Sequence, residues 1–214
     1  MSARQRGMYI PEIYKNENPE QIRAFIKANS FGIFITNKDG VSLATHIPLE
    51  YAQKESGTEI LHAHISKANE QCAHIIDGGE VLCIFNGPHS YVSSSWYDFE
   101  EVPTWNYIAV HVRGKLTILD QEGLWSSVKT LMQTYEDKQE NPVRMENLSE
   151  ETLRQMNGII GFEVAISSIE AAYKLSQNRD DKNHTAVVHQ LKNTGCPQEI
   201  AIAEEMEKLR GNKK

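Results

Sequence analysis

Hydrophobic and polar positions alternate through much of the first two thirds of the chain, at the two-residue period of β-strands. Phe31-Gly-Ile-Phe-Ile-Thr36 reads as a strand, Asn37-Lys-Asp-Gly40 as a tight turn, and Val41 to Ile47 as the returning strand. In that return, Val41, Leu43, Thr45 and Ile47 share one face, and Ser42, Ala44 and His46 share the other. Pro48 ends it. Glu59 to Ile65 alternates again, with Leu61, Ala63 and Ile65 opposed to His62 and His64. A short helix carrying Cys72, Ile75 and Ile76 inward is expected next, then a turn at Asp77-Gly78-Gly79. Val81 to Phe85 is apolar on both faces and reads as a central, buried strand. Ile108, Val110 and Val112 alternate with Ala109, His111 and Arg113, and the pattern runs on to Leu119; Gly161 to Ile166 supplies a further strand.

Helical periods are inserted between and after these strands. Asn18-Pro19-Glu20-Gln21 has the form of a helix start, with Asn as cap, Pro at the first position and Gln placed to close a capping box. Ile22, Phe25 and Ile26 follow as its apolar face. Asp120 caps a second helix whose stripe is Leu124, Val128, Leu131, Met132 and Tyr135. Glu136 to Asn147 is a polar connection, a short helix starts near Ser149, and two more helices flank Asn193-Thr-Gly-Cys-Pro197. Five or six hairpin-connected strands with such insertions predict an α+β protein built on an antiparallel barrel. Residues 1–179 would form the barrel domain and 180–214 a C-terminal helical appendage. So few strands close poorly around their own side chains, so a homodimer is expected.

Composition narrows the class. The 214 residues carry a net charge of −7, which argues against broad capture of nucleic acid or an anionic membrane. No apolar run reaches the length of a membrane span, and Met1 to Glu12 has no apolar stretch of the signal-peptide kind. Cys72, Cys83 and Cys196 form no C-x-x-C pair and read as reduced thiols of a cytoplasmic protein.

Gly87 to Tyr107 holds two of the three Trp and three of the eight Tyr. Read as a loop on the barrel rim, it either folds its aromatics on itself or walls a flat ligand. His62-x-His64 has acceptable spacing for two metal ligands, but no third is evident and no metal site is expected. Ser93, Ser94 and Ser95 lack the G-x-S-x-G context of a nucleophile, and no P-loop or dinucleotide fingerprint occurs. No catalytic residue is identified. In His64-Ile-Ser-Lys-Ala-Asn69, Ser66 and Lys67 beside the open N–H groups of a following helix would suit a phosphate, or form a plain cap. Lys174-Leu-Ser-Gln-Asn-Arg179 suits a phosphate, a flavin pyrimidine edge or a carboxylate; as a charged surface turn it would have no ligand.

Taken in order, MYIP (8–11), ATHIPL (44–49), HISKAN (64–69), the GP-x-x-YVSSSWY and VPTWNY pair, VHVRG (110–114), GFEVAI (161–166) and KLSQNR (174–179) resemble the PaiB type. That family is described as FMN-binding negative transcriptional regulators, linked in bacilli with protease production and sporulation. The resemblance implies an FMN-binding split β-barrel related to pyridoxamine-phosphate oxidase, working as a homodimer with FMN in a groove at the interface. It implies that Thr45 and His46 approach the flavin, that Ser66 and Lys67, next to His64, hold its phosphate, and that Trp96 and Trp105 cover rings or the partner. Lys174, Ser176 and Arg179 would reach the cofactor or a substrate. Ser94, Ser66-Lys67 and Ala171-Ala172 depart from the family pattern; Lys67 keeps a cation but lacks the fork of an arginine.

Three functions compete: a flavin-binding regulator, an FMN-dependent oxidoreductase, and a haem-binding split barrel. DNA as a partner depends on the helix pair around Gly195, whose second helix carries Glu199, Glu204, Glu205 and Glu207, a poor surface for phosphates. The basic tail of Lys208, Arg210, Lys213 and Lys214 is the other candidate contact.

Overall fold

A computed structural model describes residues 7–211, so the first six residues and the tail's Lys213 and Lys214 lie outside the described residues. Helix α1, Pro19–Ala28, begins as expected, with Asn18 Oδ1 accepting from the Glu20 and Gln21 N–H groups. The return arm of a capping box is not formed. Asn16 takes both groups instead: its Oδ1 accepts from Asn18 N–H and its Nδ2 donates to Gln21 Oε1.

Strands β1 (Phe31–Lys38) and β2 (Val41–Pro48) form the expected hairpin, closed by Asp39 and Gly40 at φ 53° and 81°. Strand β3 (Glu50–Gln53) was not anticipated, because four residues with one aromatic are too short for alternation to register. It pairs antiparallel with β4 (Glu59–Ser66). Strands β5 (Glu80–Val92), β6 (Thr104–Ile118) and β7 (Ile159–Lys174) are each longer than the sequence pattern implied. They complete one seven-stranded sheet in the order β2-β1-β5-β6-β7-β4-β3. β1–β2, β1–β5, β3–β4 and β4–β7 pair antiparallel, and β2 also packs against β4.

These lengths change the aromatic segment. Gly87 to Val92 belong to β5 and Thr104 to Tyr107 to β6, so the excursion is only residues 93–103, with a 3₁₀ turn at Ser94–Trp96. The short helix expected after β4 is likewise a 3₁₀ turn, Glu70–His74. Its inward residue is Gln71, 1% exposed, while Ile76, expected inside, is 51% exposed.

The remaining helices are α2 (Gln121–Glu136, capped by Asp120), α3 (Glu150–Leu153, capped by Ser149), α4 (Asp181–Asn193) and α5 (Pro197–Gly211). Gly161 lets α2 lie close to β7: a Cβ there would meet Leu124 Cδ1 at 2.7 Å.

The chain divides into two compact units. One comprises residues 26–85 and 112–169 and buries Phe34, Phe85, Phe162, Leu61 and Leu116, with the Phe34 and Phe162 rings 4.6 Å apart. The other comprises the described parts of 1–25, 86–111 and 170–214 and buries Ile108, Leu175, Leu191, Ile202 and Met206. Each such fully buried side chain contributes roughly 1.5–3 kcal/mol of transfer free energy.

Candidate functional site

Five candidate residues, Thr45, His46, His64, Ser66 and Lys67, belong to the first of these units; Trp96, Trp105, Lys174, Ser176 and Arg179 belong to the second. On β2, successive side chains point to opposite faces, so Thr45 and His46 do not share one. Thr45 is tied into a polar hub. Its hydroxyl donates to Gln71 Oε1 at 2.5 Å and accepts from Asn69 Nδ2 at 3.1 Å. Gln71 Nε2 in turn lies 3.1 Å from each of three acceptors: the Phe34 and Leu43 carbonyls and Thr36 Oγ1. Gln71 thus satisfies buried groups of β1 and β2, a role that sequence reading missed by turning Cys72, Ile75 and Ile76 inward instead. His46 is exposed and stacks against Phe31, with ring centroids 6.3 Å apart.

His62 and His64 share a face of β4, and burial pushes both imidazoles below the usual histidine range. His62 Nδ1 is buried with no hydrogen-bond partner among the described residues. No group of three or more His, Cys, Asp or Glu able to hold a metal occurs among the described residues.

Ser66 and Lys67 end β4 and are exposed. The open helical N–H groups expected beside them are absent. Lys67 N–H donates to Gly158 O, Ala68 N–H to Ser66 Oγ, Asn69 N–H to Ser66 O, Gln71 N–H to Asn69 Oδ1 and Cys72 N–H to Asn69 O. A five-residue 3₁₀ turn consumes its donors locally. What Lys67 retains is its ammonium, which donates once, to Asn157 O at 2.8 Å, of the three N–H bonds it can make. It forms one wall of a cavity of about 680 Å³ in the same unit. Leu119, Leu124, Met156 and Ile160 give that cavity an apolar lining, and Trp125 and Arg154 stand with them. Trp125, 39% exposed, was absent from the sequence candidates, because an aromatic on a helix does not announce which face it lines.

In the other unit, the run from Lys174 to Arg179 follows directly from β7 and braces itself. Gln177 Oε1 accepts from Leu175 N–H, Gln177 Nε2 donates to Tyr173 O, and Arg179 N–H donates to Ser176 O. Ser176 sits at φ 60° and is 4% exposed. Its hydroxyl exchanges hydrogen bonds with the Asn106 amide, at 2.9 Å and 3.2 Å, and so is turned into the protein. Lys174 Nζ donates to Thr104 Oγ1 and lies 5.8 Å from the Tyr14 ring centroid. Arg179 pairs with Glu101 at 2.8 Å and stacks on Tyr97, with Cζ 4.5 Å from the ring centroid. Lys174 and Arg179 line a small polar cavity of about 100 Å³ together with Tyr14, Tyr97 and Thr104. Tyr14, Tyr97 and Thr104 were not singled out from the sequence. Trp105 is 53% exposed on β6, edge-on to Tyr91 at 6.0 Å, and Trp96 is half-buried in the 3₁₀ turn; neither lines this cavity.

The sequence of residues 8–168 matches the family described as "Putative FMN-binding domain". Over 201 residues the chain is 41% identical to the protease synthase and sporulation protein PAI 2 of Bacillus subtilis (strain 168), spanning 94% of this chain and 97% of that protein. Among solved structures, an FAD and haem binding protein from Mycobacterium smegmatis superposes with a TM-score of 0.58 at 14% identity, over 81% of this chain and 79% of that one. The matched range includes Thr45 to Lys67, Trp96 and Trp105 and stops short of Lys174, Ser176 and Arg179. By that match over most of its length and its identity to the Bacillus protein, the chain belongs to this family of FMN-binding domains, the PaiB type expected from its motifs.

Proposed function

We propose that this protein is an FMN-binding regulator, with the flavin held in the cavity beside the end of β4. The observation that carries the reading is the Lys67 ammonium on the wall of an apolar-lined space of about 680 Å³. That volume lies within the roughly 300–1,000 Å³ typical of cofactor sites. The lining fits FMN in kind: a cation with N–H groups to spare suits a phosphate, and Trp125 offers an aromatic face to a flat ring. When bound, FMN supplies a reversible electron acceptor; the chain's own part is to bind it and limit its contact with water.

The regulatory reading rests on the Bacillus relative, whose name ties it to protease synthesis and sporulation. Direct repression by α4 and α5 has little physical support. Lys192 pairs with Glu207, Lys208 with Glu205, and Arg210 with Asp181, so these cations already hold carboxylates. We therefore infer a regulator in the cytoplasm that acts without gripping DNA through these helices. The exposed cluster of Trp105, Tyr91 and His89 supports a homodimer, since aromatic patches of this kind are characteristic of subunit contacts.

The test is titration of the purified protein with FMN, followed by flavin absorbance and by Trp fluorescence. Saturable binding with quenching that Trp125→Leu reduces is expected. Absence of retained flavin would remove the reading. A gel shift at about 50 mM salt, where phosphate contacts are strong, is expected to give no promoter retention; retention lost in a variant lacking α5 would restore direct repression. For the dimer, Trp105→Asp should lower the mass measured by light scattering to that of one chain.

A further inference from the structure

A second cavity lies at the end of β7, and its lining differs in chemistry from that of the cavity beside Lys67. Two cations face it, and among the described residues they share a single carboxylate: Arg179 holds Glu101, while Lys174 has a hydroxyl and an aromatic face. Burial pushes the Lys174 ammonium below the usual lysine range, and the Arg179 charge adds to the shift. For Arg179, burial disfavours the charge, but Glu101 and the Tyr97 phenol outweigh it and hold the guanidinium charged. Tyr97 is 9% exposed, and its Oη makes no hydrogen bond of good geometry with any described residue. Orphan polar atoms of this kind are rare in folded proteins, because a buried donor loses its water without a replacement. The cavity holds one unmatched charge: the Lys174 ammonium, a cation with no counter-ion among the described residues.

We propose that this cavity binds a small oxyanion, the carboxylate or phosphoryl head of a small molecule other than FMN. Such a group supplies the negative charge Lys174 lacks and accepts from its ammonium. Size sets the class. About 100 Å³ is the liquid volume of about three waters, enough for a head group and too small for a tricyclic ring. The site is rigid before binding, since Ser176, Asn106 and Gln177 hold the turn through hydrogen bonds of their own. A ligand held here would enter a regulator as its effector, or a flavoprotein as its substrate.

The experiment is calorimetric titration of the full-length protein with inorganic phosphate and, separately, acetate, at constant ionic strength, without and with saturating FMN. Saturable binding of one of the two, unaffected by FMN, is expected. Lys174→Met should weaken it about tenfold, since it removes the charge. Should Lys174→Met fail to fold, Lys174→Gln makes the same comparison. No saturable binding of either anion, or equal affinity in the wild type and the folded variants, overturns the proposal. Competition between the anion and FMN also overturns it, because the cavity would then belong to the flavin's own phosphate. Anion binding in a protein that takes up no FMN leaves this site standing and removes the flavin reading instead.

Discussion

The ends of β4 and β7 each present a lysine next to hydroxyl groups, yet they hold the positive charge in opposite ways. At the end of β4, Lys67 is exposed, makes one hydrogen bond to a carbonyl, and borders a large apolar-lined cavity. Close to it the buried amide of Gln71 gathers strand carbonyls and hydroxyls, while His62 Nδ1 on β4 and His74 Nδ1 in the adjoining turn have no partner among the described residues. At the end of β7, Lys174 is half-buried beside Arg179, on a small cavity lined also by Tyr14 and Thr104. The lesson is where an anion is needed. Water screens Lys67 whether or not a phosphate is present, whereas Lys174 gains from an anion even in the absence of any larger ligand.

The largest expected effect tests the Gln71 hub beside the β4 end. Gln71→Leu removes the amide and strands two carbonyls and two hydroxyls, so urea unfolding should report a loss of about 3 kcal/mol. A loss below about 1 kcal/mol would mean that water replaces the hub and that the contrast is overstated. Next comes Lys67→Ala. Stability should stay within about 0.5 kcal/mol of wild type while FMN affinity falls about tenfold. Unchanged affinity would move the phosphate elsewhere.

Lys174 should leave a smaller signature in the pH dependence of stability. Its folded pKa is depressed below the ordinary 10.5, so the stability linked to it is present above 10.5 and is lost as pH falls through the lower folded value. Lys174→Met should abolish that slope and make stability flatter over this alkaline window, as compared directly with wild type by denaturant unfolding. The smallest effect belongs to His64, also depressed by burial. Stability linked to it is present above 6.5 and lost as pH falls through the folded value, so His64→Leu should be less sensitive to acid than wild type between pH 6.5 and 5. An acid slope identical in the two proteins would show that His64 is not held neutral.

Local patterns were legible where the physics is local. Alternation located β1, β2 and β4, and the Asp39-Gly40 turn tied the first two, because left-handed turn residues and side-chain period are properties of a few adjacent positions. Asn18 and Asp120 capped their helices as expected for the same reason, and the short helix expected near Ser149 starts there. The pattern failed at Gln71, since a buried glutamine is recognisable only once the strand carbonyls that surround it are known. It failed again at the aromatic segment. Gly, Pro and Ser read as loop formers, but neighbours in the sheet held Gly87 to Val92 and Thr104 to Tyr107 extended.

Of the candidate site, Lys67, Lys174 and Arg179 could be named from charge beside a strand end, while Tyr97 and Trp125 could not. Family motifs and order along the chain determined the FMN-binding split barrel by sequence alone, since 41% identity over nearly all of a relative leaves little freedom in fold. Tertiary structure alone decided which hydroxyls face a cavity. Thr45 and Ser176 carry the right group for a ligand, yet the first is bound to Gln71 and Asn69 and the second to Asn106. A hydroxyl's chemistry is written in its residue type, but its availability depends on whichever distant partner the fold brings within three ångströms or so.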